Sequence, residues 1–189
     1  PAWKPDYGPA EFKPTMGVTA TGARNILIAY NVNLDTNDKS SANKIAGKLR
    51  TSGILKKDSD GKKIIGADGK AERIPGKFQS LQAAGWMYND DIAQVSMNLL
   101  DYSVTGLHSV TEAIRDEAKN YDMVATAGEL VGLVPLNAIV DAGKFYHQEA
   151  DETDIQTLVK AAITGLNLDQ LDVFNPHERI IEWAAGVIE

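Results

Sequence analysis

Asn25-Ile-Leu-Ile-Ala-Tyr-Asn-Val-Asn-Leu34 is the stretch on which the fold turns. Ten residues rich in apolar and β-branched side chains read as a largely buried β-strand. Beyond it, Asp38 or Ser40 can cap a helix whose Ala42, Ile45, Ala46 and Leu49 follow i, i+3, i+4, i+7 spacing, with Gly53 as its stop. Residues 56–77 hold seven Lys/Arg and four Gly, and Ala67-Asp68-Gly69-Lys70 carries a hairpin turn signal, so this stretch is expected to be an exposed, basic β-hairpin insertion. Two strands are expected at Leu81 to Tyr88 and Ile92 to Tyr102, joined tightly through Asn89-Asp90-Asp91 and therefore antiparallel. A helix from about Leu107 to Asn120 presents Leu107, Val110, Ile114 and Ala118 on one side, and Met123 to Thr126 reads as a short strand ending before Gly128. The order is β-α-β-β-α-β, an α+β ferredoxin-like arrangement in which two helices cover one face of a four-stranded antiparallel sheet.

Additional C-terminal helices follow. Leu136, Ile139, Val140 and Phe145 mark one after Pro135, and Ile155, Leu158, Val159, Ala162 and Ile163 mark another. Asn175-Pro176-His177-Glu178 supplies a cap, a first-turn proline and an N3 glutamate for a helix carrying Ile180, Ile181 and Ala184. Upstream of Asn25, four of the seven prolines fall within the first 22 residues, which makes that segment extended and turn-rich. It begins without methionine and is read as an internal sequence or a processed end. No repeat and no low-complexity tract is evident.

With 189 residues and 43% hydrophobic side chains, the chain has the composition of an ordinary globular domain. Its apolar runs are too short for a transmembrane helix, so no membrane partner is expected. The absence of cysteine excludes disulfides, thiolate nucleophiles and thiolate metal sites, and fits the reducing cytoplasm expected as its location. A net charge of −7 argues against nucleic acid, although residues 1–77 carry 14 Lys/Arg against 8 Asp/Glu. The general bases within reach of ordinary pH are His108, His147 and His177, all inside helical patterns and none paired with a glutamate at zinc-binding spacing. No nucleophile elbow, P-loop or dinucleotide fingerprint occurs. The informative segment is Asp6 to Asn33. It combines rigid proline turns, glycines that permit close backbone approach, rings at Tyr7 and Phe12 that could flank a flat ligand, and Arg24, suited to a carboxylate.

Asp6-Tyr-Gly-Pro-Ala-Glu-Phe-Lys-Pro14, Gly17 to Arg24 and Leu27 to Asn33 resemble the motifs of the formiminotransferase family, glutamate formimidoyltransferase. The resemblance continues through Gly85-Trp86, Ala93 to Asp101, Thr105-Gly-Leu-His108, Glu129 to Pro135 and Pro176 to Glu182, with the longer 56–77 insertion as the main departure. It implies transfer of the formimino group from N-formimidoyl-L-glutamate to tetrahydrofolate as co-substrate, without a metal, in histidine breakdown. It also implies two subdomains with folate between them. Residues 1–24 would then be the tail of the preceding subdomain with the folate-contacting loop, and 25–189 the C-terminal subdomain. The catalytic histidine would lie in the missing N-terminal subdomain, so no catalytic residue is expected here and the chain alone should be inactive. The matching folate-binding residues are Pro5, Asp6, Tyr7, Gly8, Pro9, Ala10, Glu11, Phe12, Lys13 and Pro14, with Arg24 as a candidate for the folate carboxylates and Lys4 as a further cation. Folate, formimidoylglutamate and the missing subdomain are the expected partners, and a homodimer is compatible with the sequence. The alternative is a non-catalytic ferredoxin-like module that binds folate or protein.

Overall fold

A computed structural model describes residues 4–11, 13–147, 149 and 154–187. The main sheet comprises β1 (Ile28–Leu34), β4 (Leu81–Met87), β5 (Ala93–Leu99) and β6 (Ala125–Val131), in the order β4-β5-β1-β6 with every pair antiparallel. Helices α1 (Lys39–Leu49) and α2 (Leu107–Lys119) pack on it. This is the ferredoxin-like arrangement expected from the element order.

Two-residue periodicity assigns the strand residues to faces. Ile28, Tyr30 and Val32 stand opposite Leu99, Met97 and Val95 and, with Leu34 and Ala93, form the buried row beneath the helices. Ile45 and Leu49 of α1, and Leu107, Val110, Ile114 and Ala118 of α2, complete this core. At about 25 cal/mol per Å² of apolar surface, each of these larger side chains contributes roughly 1.5–3 kcal/mol of burial. The Tyr30 hydroxyl reaches Thr111 Oγ1 of α2 at 2.9 Å, and burial pushes its pKa up to about 12. Helix α1 starts at an Asp38 cap, whose carboxylate accepts from Ser40 N. It lies close on β4 because position 85 is glycine: a Cβ there would stand 2.4 Å from Asn43 N.

Strand β6 runs through Gly128 to Val131, beyond the Met123 to Thr126 segment predicted from sequence. Gly128 was read as a terminator, yet it is required in mid-strand. A Cβ at that position would sit 2.3 Å from Leu166 O and 2.7 Å from the Tyr30 hydroxyl. Helices α3 (Leu136–Tyr146) and α4 (Ile155–Gly165) form a pair beside α2, tied to it where the Tyr146 hydroxyl donates to Glu112 at 2.8 Å and Arg115 donates to Gly165 O at 2.8 Å. The helix expected after Asn175 is instead two single turns, α5 (Pro176–Arg179) and α6 (Ile181–Ala184). Ile180 between them is extended because its neighbours' backbone pairs with Val134: Val134 N donates to Arg179 O and Ile181 N to Val134 O.

The insertion is largely exposed, and it is not a simple hairpin. Its base is the short pair β2 (Ile54–Leu55) and β3 (Arg73–Ile74). Above the base, three extended segments close a triangle. Lys56 N donates to Glu72 O (2.9 Å), Glu72 N to Ile64 O (2.8 Å) and Ile64 N to Lys56 O (3.1 Å). Two like turns eight residues apart make this possible: Asp58 N–H bonds Lys62 O and Gly61 N–H bonds Asp58 O, while Gly66 N–H bonds Lys70 O and Gly69 N–H bonds Gly66 O. The φ values of Gly61 and Gly69, +77° and +75°, are those an Asp-Gly turn demands. The Asp-Gly-Lys pair at 60–62 and 68–70 is thus a short repeat in a chain expected to have none.

Both edges of the main sheet are covered by the chain's own groups. On β4, Thr51 exchanges backbone and side-chain bonds with Leu81 and Arg50 donates to Ala83 O. On β6, Asn167 and Arg179 donate to Thr126 O and Leu130 O. Strand addition at either edge is therefore obstructed.

Candidate functional site

The second face of the sheet carries the alternate residues. Reading across β4, β5, β1 and β6, its rows are Gln82, Asn98, Ala29 and Val131, then Ala84, Ser96, Asn31 and Glu129, with Trp86, Gln94 and Asn33 forming a third row on the first three strands. Five of these eleven side chains are amides, where a solvent-facing sheet ordinarily carries lysine, threonine and glutamate. No lysine or arginine stands in any of these rows.

Three of the amides, Asn31, Asn33 and Gln94, form one connected cluster with Glu129. Asn31 Nδ2 donates to Glu129 Oε2 at 2.8 Å; Gln94 Nε2 donates to Asn33 Oδ1 at 2.9 Å and to the same Glu129 oxygen at 3.3 Å. The carboxylate fixes the amide orientations, because an ionised carboxylate only accepts. Gln94 must turn its NH2 toward Glu129, its other hydrogen then requires the Asn33 oxygen, and the Asn33 NH2 is directed elsewhere. That NH2 is buried and has no hydrogen-bond partner, although Asn33 is only 1% exposed. An orphaned buried donor costs roughly 1–3 kcal/mol and calls for an explanation, of which a missing ligand is one.

Trp86 flanks the cluster, 58% exposed, with Lys39 Nζ 5.0 Å from its ring centroid. A shallow depression of about 250 Å³ lies along the face over Gln82, Ala84, Ser96 and Asn98. A larger hollow of about 670 Å³ follows the β4 edge, but its one cation, Arg50, is engaged in bonds to Gly53 O and Ala83 O.

Among the described residues, no hydrogen bond joins the residues expected from sequence to touch folate to this cluster. Pro5 to Glu11, Lys13 and Pro14 are exposed and outside regular structure, and Phe12 lies outside the described residues. Gly8 has φ +93° with nothing within 4 Å of a built Cβ, and among the described residues Arg24 bonds only the carbonyl of Asn25 next to it. The segment does enter the sheet directly, through 25–27 into β1. The histidines have structural surroundings: His108 stacks on Phe145 (4.8 Å), His177 stacks on Trp183 (5.1 Å), and His147 ends α3. Burial holds the His108 imidazole below its usual pKa. Among the described residues, no group of three or more His, Asp or Glu could hold a metal, and no helix is long and apolar enough to cross a membrane.

Sequence reasoning missed the amide face. The signal was present in the alternation of Asn31 and Asn33 with Tyr30, Val32 and Leu34, and of Gln94, Ser96 and Asn98 with Val95, Met97 and Leu99.

Similarity to known proteins runs along most of the chain. Residues 29–186 match the model of the formiminotransferase domain. Formimidoyltransferase-cyclodeaminase from Rattus norvegicus is 40% identical over 184 residues, which is 96% of this chain and 31% of the relative. That from Gallus gallus is 40% identical over 186 residues, 97% of this chain and 31% of the relative. Glutamate formimidoyltransferase from Streptococcus pyogenes serotype M1 is 37% identical over 150 residues, 79% of this chain and 43% of the relative. The chain therefore spans between about a third and under half of the length of these relatives. With the family model covering most of the chain, and with the ferredoxin-like sheet in place, this chain belongs to the formiminotransferase family.

Proposed function

We propose that the chain is the second half of the transferase unit of a glutamate formimidoyltransferase, and that its open amide face is one wall of the cleft in which tetrahydrofolate receives the formimino group of N-formimidoyl-L-glutamate during histidine degradation. The other wall belongs to sequence this chain does not contain. The carrying observation is the orphaned Asn33 amide in the end row of the sheet face opposite α1 and α2, while both edges of the same sheet are plugged. The length of the relatives supports the reading, since each has ample sequence for a second wall.

The chemistry explains why one half is insufficient. N5 of tetrahydrofolate attacks the amidine carbon, a tetrahedral intermediate forms, a proton must leave the attacking nitrogen and the glutamate nitrogen must be protonated to depart. The amide face can hold and orient planar polar groups, but it presents no imidazole. Proton transfer is therefore assigned to the other half, and this chain contributes binding. The Pro5 to Pro14 segment and Arg24 are assigned to folate: they precede β1, the strand that carries Asn31 and Asn33, and a second wall would give Tyr7 and Phe12 something to close against.

The test compares the 189-residue chain with the full-length polypeptide in a formimino-transfer assay. The chain alone should be inactive and the full-length protein active, with Asn33→Leu lowering its kcat/KM at least tenfold. A full-length protein that transfers no formimino group, or one indifferent to Asn33→Leu, overturns the assignment.

A further inference from the structure

We propose that the insertion and the far end of the main sheet are the two halves of a head-to-tail contact between copies of this chain, in which the cationic face of one copy's insertion seats on the aspartate-bearing loops 35–38, 88–92 and 121–124 of the next. The contact uses neither the open sheet face nor its amides, and is independent of the proposed function.

The head is built by strand alternation. Lys57 and Lys63 face each other across an antiparallel bridge, as do Ile65 and Ala71, and Leu55 and Arg73 pair at the base. The bonds from Asp58 N to Lys62 O and from Ile64 N to Lys56 O flank the first pair, and those from Gly66 N to Lys70 O and from Glu72 N to Ile64 O flank the second. Both are therefore of the non-hydrogen-bonded kind, whose side chains stand closest. Period-two alternation along 55–57, 63–65 and 71–73 gathers Leu55, Lys57, Lys63, Ile65, Ala71 and Arg73 on one face, which holds three cations and no carboxylate. Ile54, on the other face, lies against α1, where its Cγ2 is 2.9 Å from a Cβ built on Gly47, so the cationic face turns away from that helix. Lysines directly opposite one another repel, and no ion pair among the described residues relieves these two. Asp58 and Asp68 accept from their own turns, Glu72 pairs with Lys56, and none of the four ion pairs includes Lys57, Lys63 or Arg73.

The matching surface is on the chain itself, whose residues 78–189 carry 18 Asp/Glu against 5 Lys/Arg. The base of the insertion is tied to the Leu81 end of β4, through Thr51 N to Leu81 O and Phe78 N to Leu49 O. At the opposite end of the sheet, Ala93 N donates to Thr36 O and Asp35 N to Val124 O, which draws together three loops bearing Asp35, Asp38, Asp90, Asp91 and Asp122. All five are exposed, and none forms an ion pair among the described residues. Lys39 and Lys44, the cations next in sequence, stand over the rings of Trp86 and Tyr121. Tyr88 (43% exposed) and Val124 (60%) add apolar area to this end, as Ile65 (59%) does to the insertion. At about 3.3 Å per residue, the strands separate the two ends by roughly 20 Å, twice the Debye length of about 10 Å at 0.1 M salt. Each end therefore acts by its own charge, and the net −7 does not decide the encounter. A contact between unlike ends is heterologous, so it propagates from copy to copy instead of closing a two-fold dimer.

Sedimentation equilibrium of the 189-residue chain tests this. A six-residue face is smaller than the roughly 20–30 residues a side of a standard interface, so the association is weak and is followed up to about 0.5 mM protein. In about 0.1 M salt the mean mass should rise with concentration past that of a dimer, and in about 1 M salt, where the Debye length is about 3 Å, the association constant should fall by about tenfold or more. Lys57→Glu with Lys63→Glu, and separately Asp90→Lys with Asp91→Lys, should each weaken association by about tenfold, and the exposure of all four side chains keeps the fold intact. An equimolar mixture of the two variants should restore it, because the intact tail of one meets the intact head of the other and the two reversed ends match. Replacing 56–72 by Asn-Gly removes the head without adding charge, and that chain should not propagate. A chain that stays monomeric over the whole range, association indifferent to either charge reversal, or a mixture no more associated than its parts overturns the proposal. Insertion-dependent binding to phosphatidylserine vesicles by a chain that stays monomeric overturns it in favour of a membrane surface.

Discussion

Replacing Asn33 by leucine should make the folded chain more stable. The two side chains are close in shape, so the change tests polarity rather than volume. Asn33 is 1% exposed and its NH2 is unpartnered, so the substitution removes a penalty of roughly 1–3 kcal/mol. It adds apolar burial in place of an amide, worth about 1.5 kcal/mol or somewhat more for a leucine. Against this stands the lost bond from Gln94 Nε2 at 2.9 Å, about 1 kcal/mol, while Gln94 keeps its second contact with Glu129 at 3.3 Å. The net expectation is a gain of about 2 kcal/mol, or roughly 4–8 °C in Tm for a chain of this length. Urea unfolding followed by far-UV circular dichroism measures it, with the m-value checked for constancy. A residue that weakens the fold and is nevertheless present is what a binding site predicts, since ligand sites trade stability for function. A fall in stability of 1 kcal/mol or more on Asn33→Leu would refute the reasoning, because it would mean that the amide is satisfied and serves the fold.

Other outcomes are expected. Gly128→Ala drives a Cβ to 2.3 Å from Leu166 O and 2.7 Å from the Tyr30 hydroxyl, and should cost about 2–4 kcal/mol in urea unfolding through overpacking and the loss of buried hydrogen bonds. Trypsin should cut first at Lys62, Lys63 or Lys70 near the two turns of the insertion, and replacing residues 56–72 by Asn-Gly should change stability by no more than about 0.5 kcal/mol, because Leu55 and Arg73 already pair antiparallel. Burial lowers the folded-state pKa of His108, so the unfolded chain binds more protons; stability should rise as pH increases from below that folded value through the ordinary histidine value near 6.5, and His108→Phe should flatten this slope in denaturation midpoints taken at pH 5 and 7.5.

The parts of the fold that depend on one row of side chains were legible in the sequence. Ala42, Ile45, Ala46 and Leu49 of α1, and Leu107, Val110, Ile114 and Ala118 of α2, are buried as their spacing requires, and the strand order follows from the tight turn at 89–91 and the two helical crossovers. Features that depend on a distant segment were not legible. Gly128 reads as a breaker until Leu166 and Tyr30 are placed over it, and the Asn175 cap predicts a continuous helix until Val134 draws Ile180 into an extended conformation. The site was hidden for a related reason. Asn31 and Asn33 stand inside an apolar run that looks buried on both faces, and only the placement of α1 and α2 on the opposite side leaves them on a polar wall. The motif resemblance drew attention instead to Pro5 to Pro14, whose described residues are exposed and outside regular structure.

The division between the two segments has a physical basis. A drug-sized ligand in a formed pocket buries most of its surface, and a sheet face can cover only one side of it. On the proposed reading, affinity for folate therefore depends on a second surface, and the amide wall supplies orientation at low cost: Asn31, Gln94 and Glu129 are already hydrogen-bonded to one another, on strands held by the main-chain ladder, and need no reordering when a ligand arrives. The loop before β1 is the opposite kind of element, rich in proline and glycine and outside regular structure in its described residues, suited to fold onto a ligand already placed. A histidine on the amide face would carry a proton-transfer group into a region whose one charge is negative, and its imidazolium would be captured by Glu129. On the proposed reading, a base on the opposite wall stays clear of that carboxylate and remains free to accept the proton.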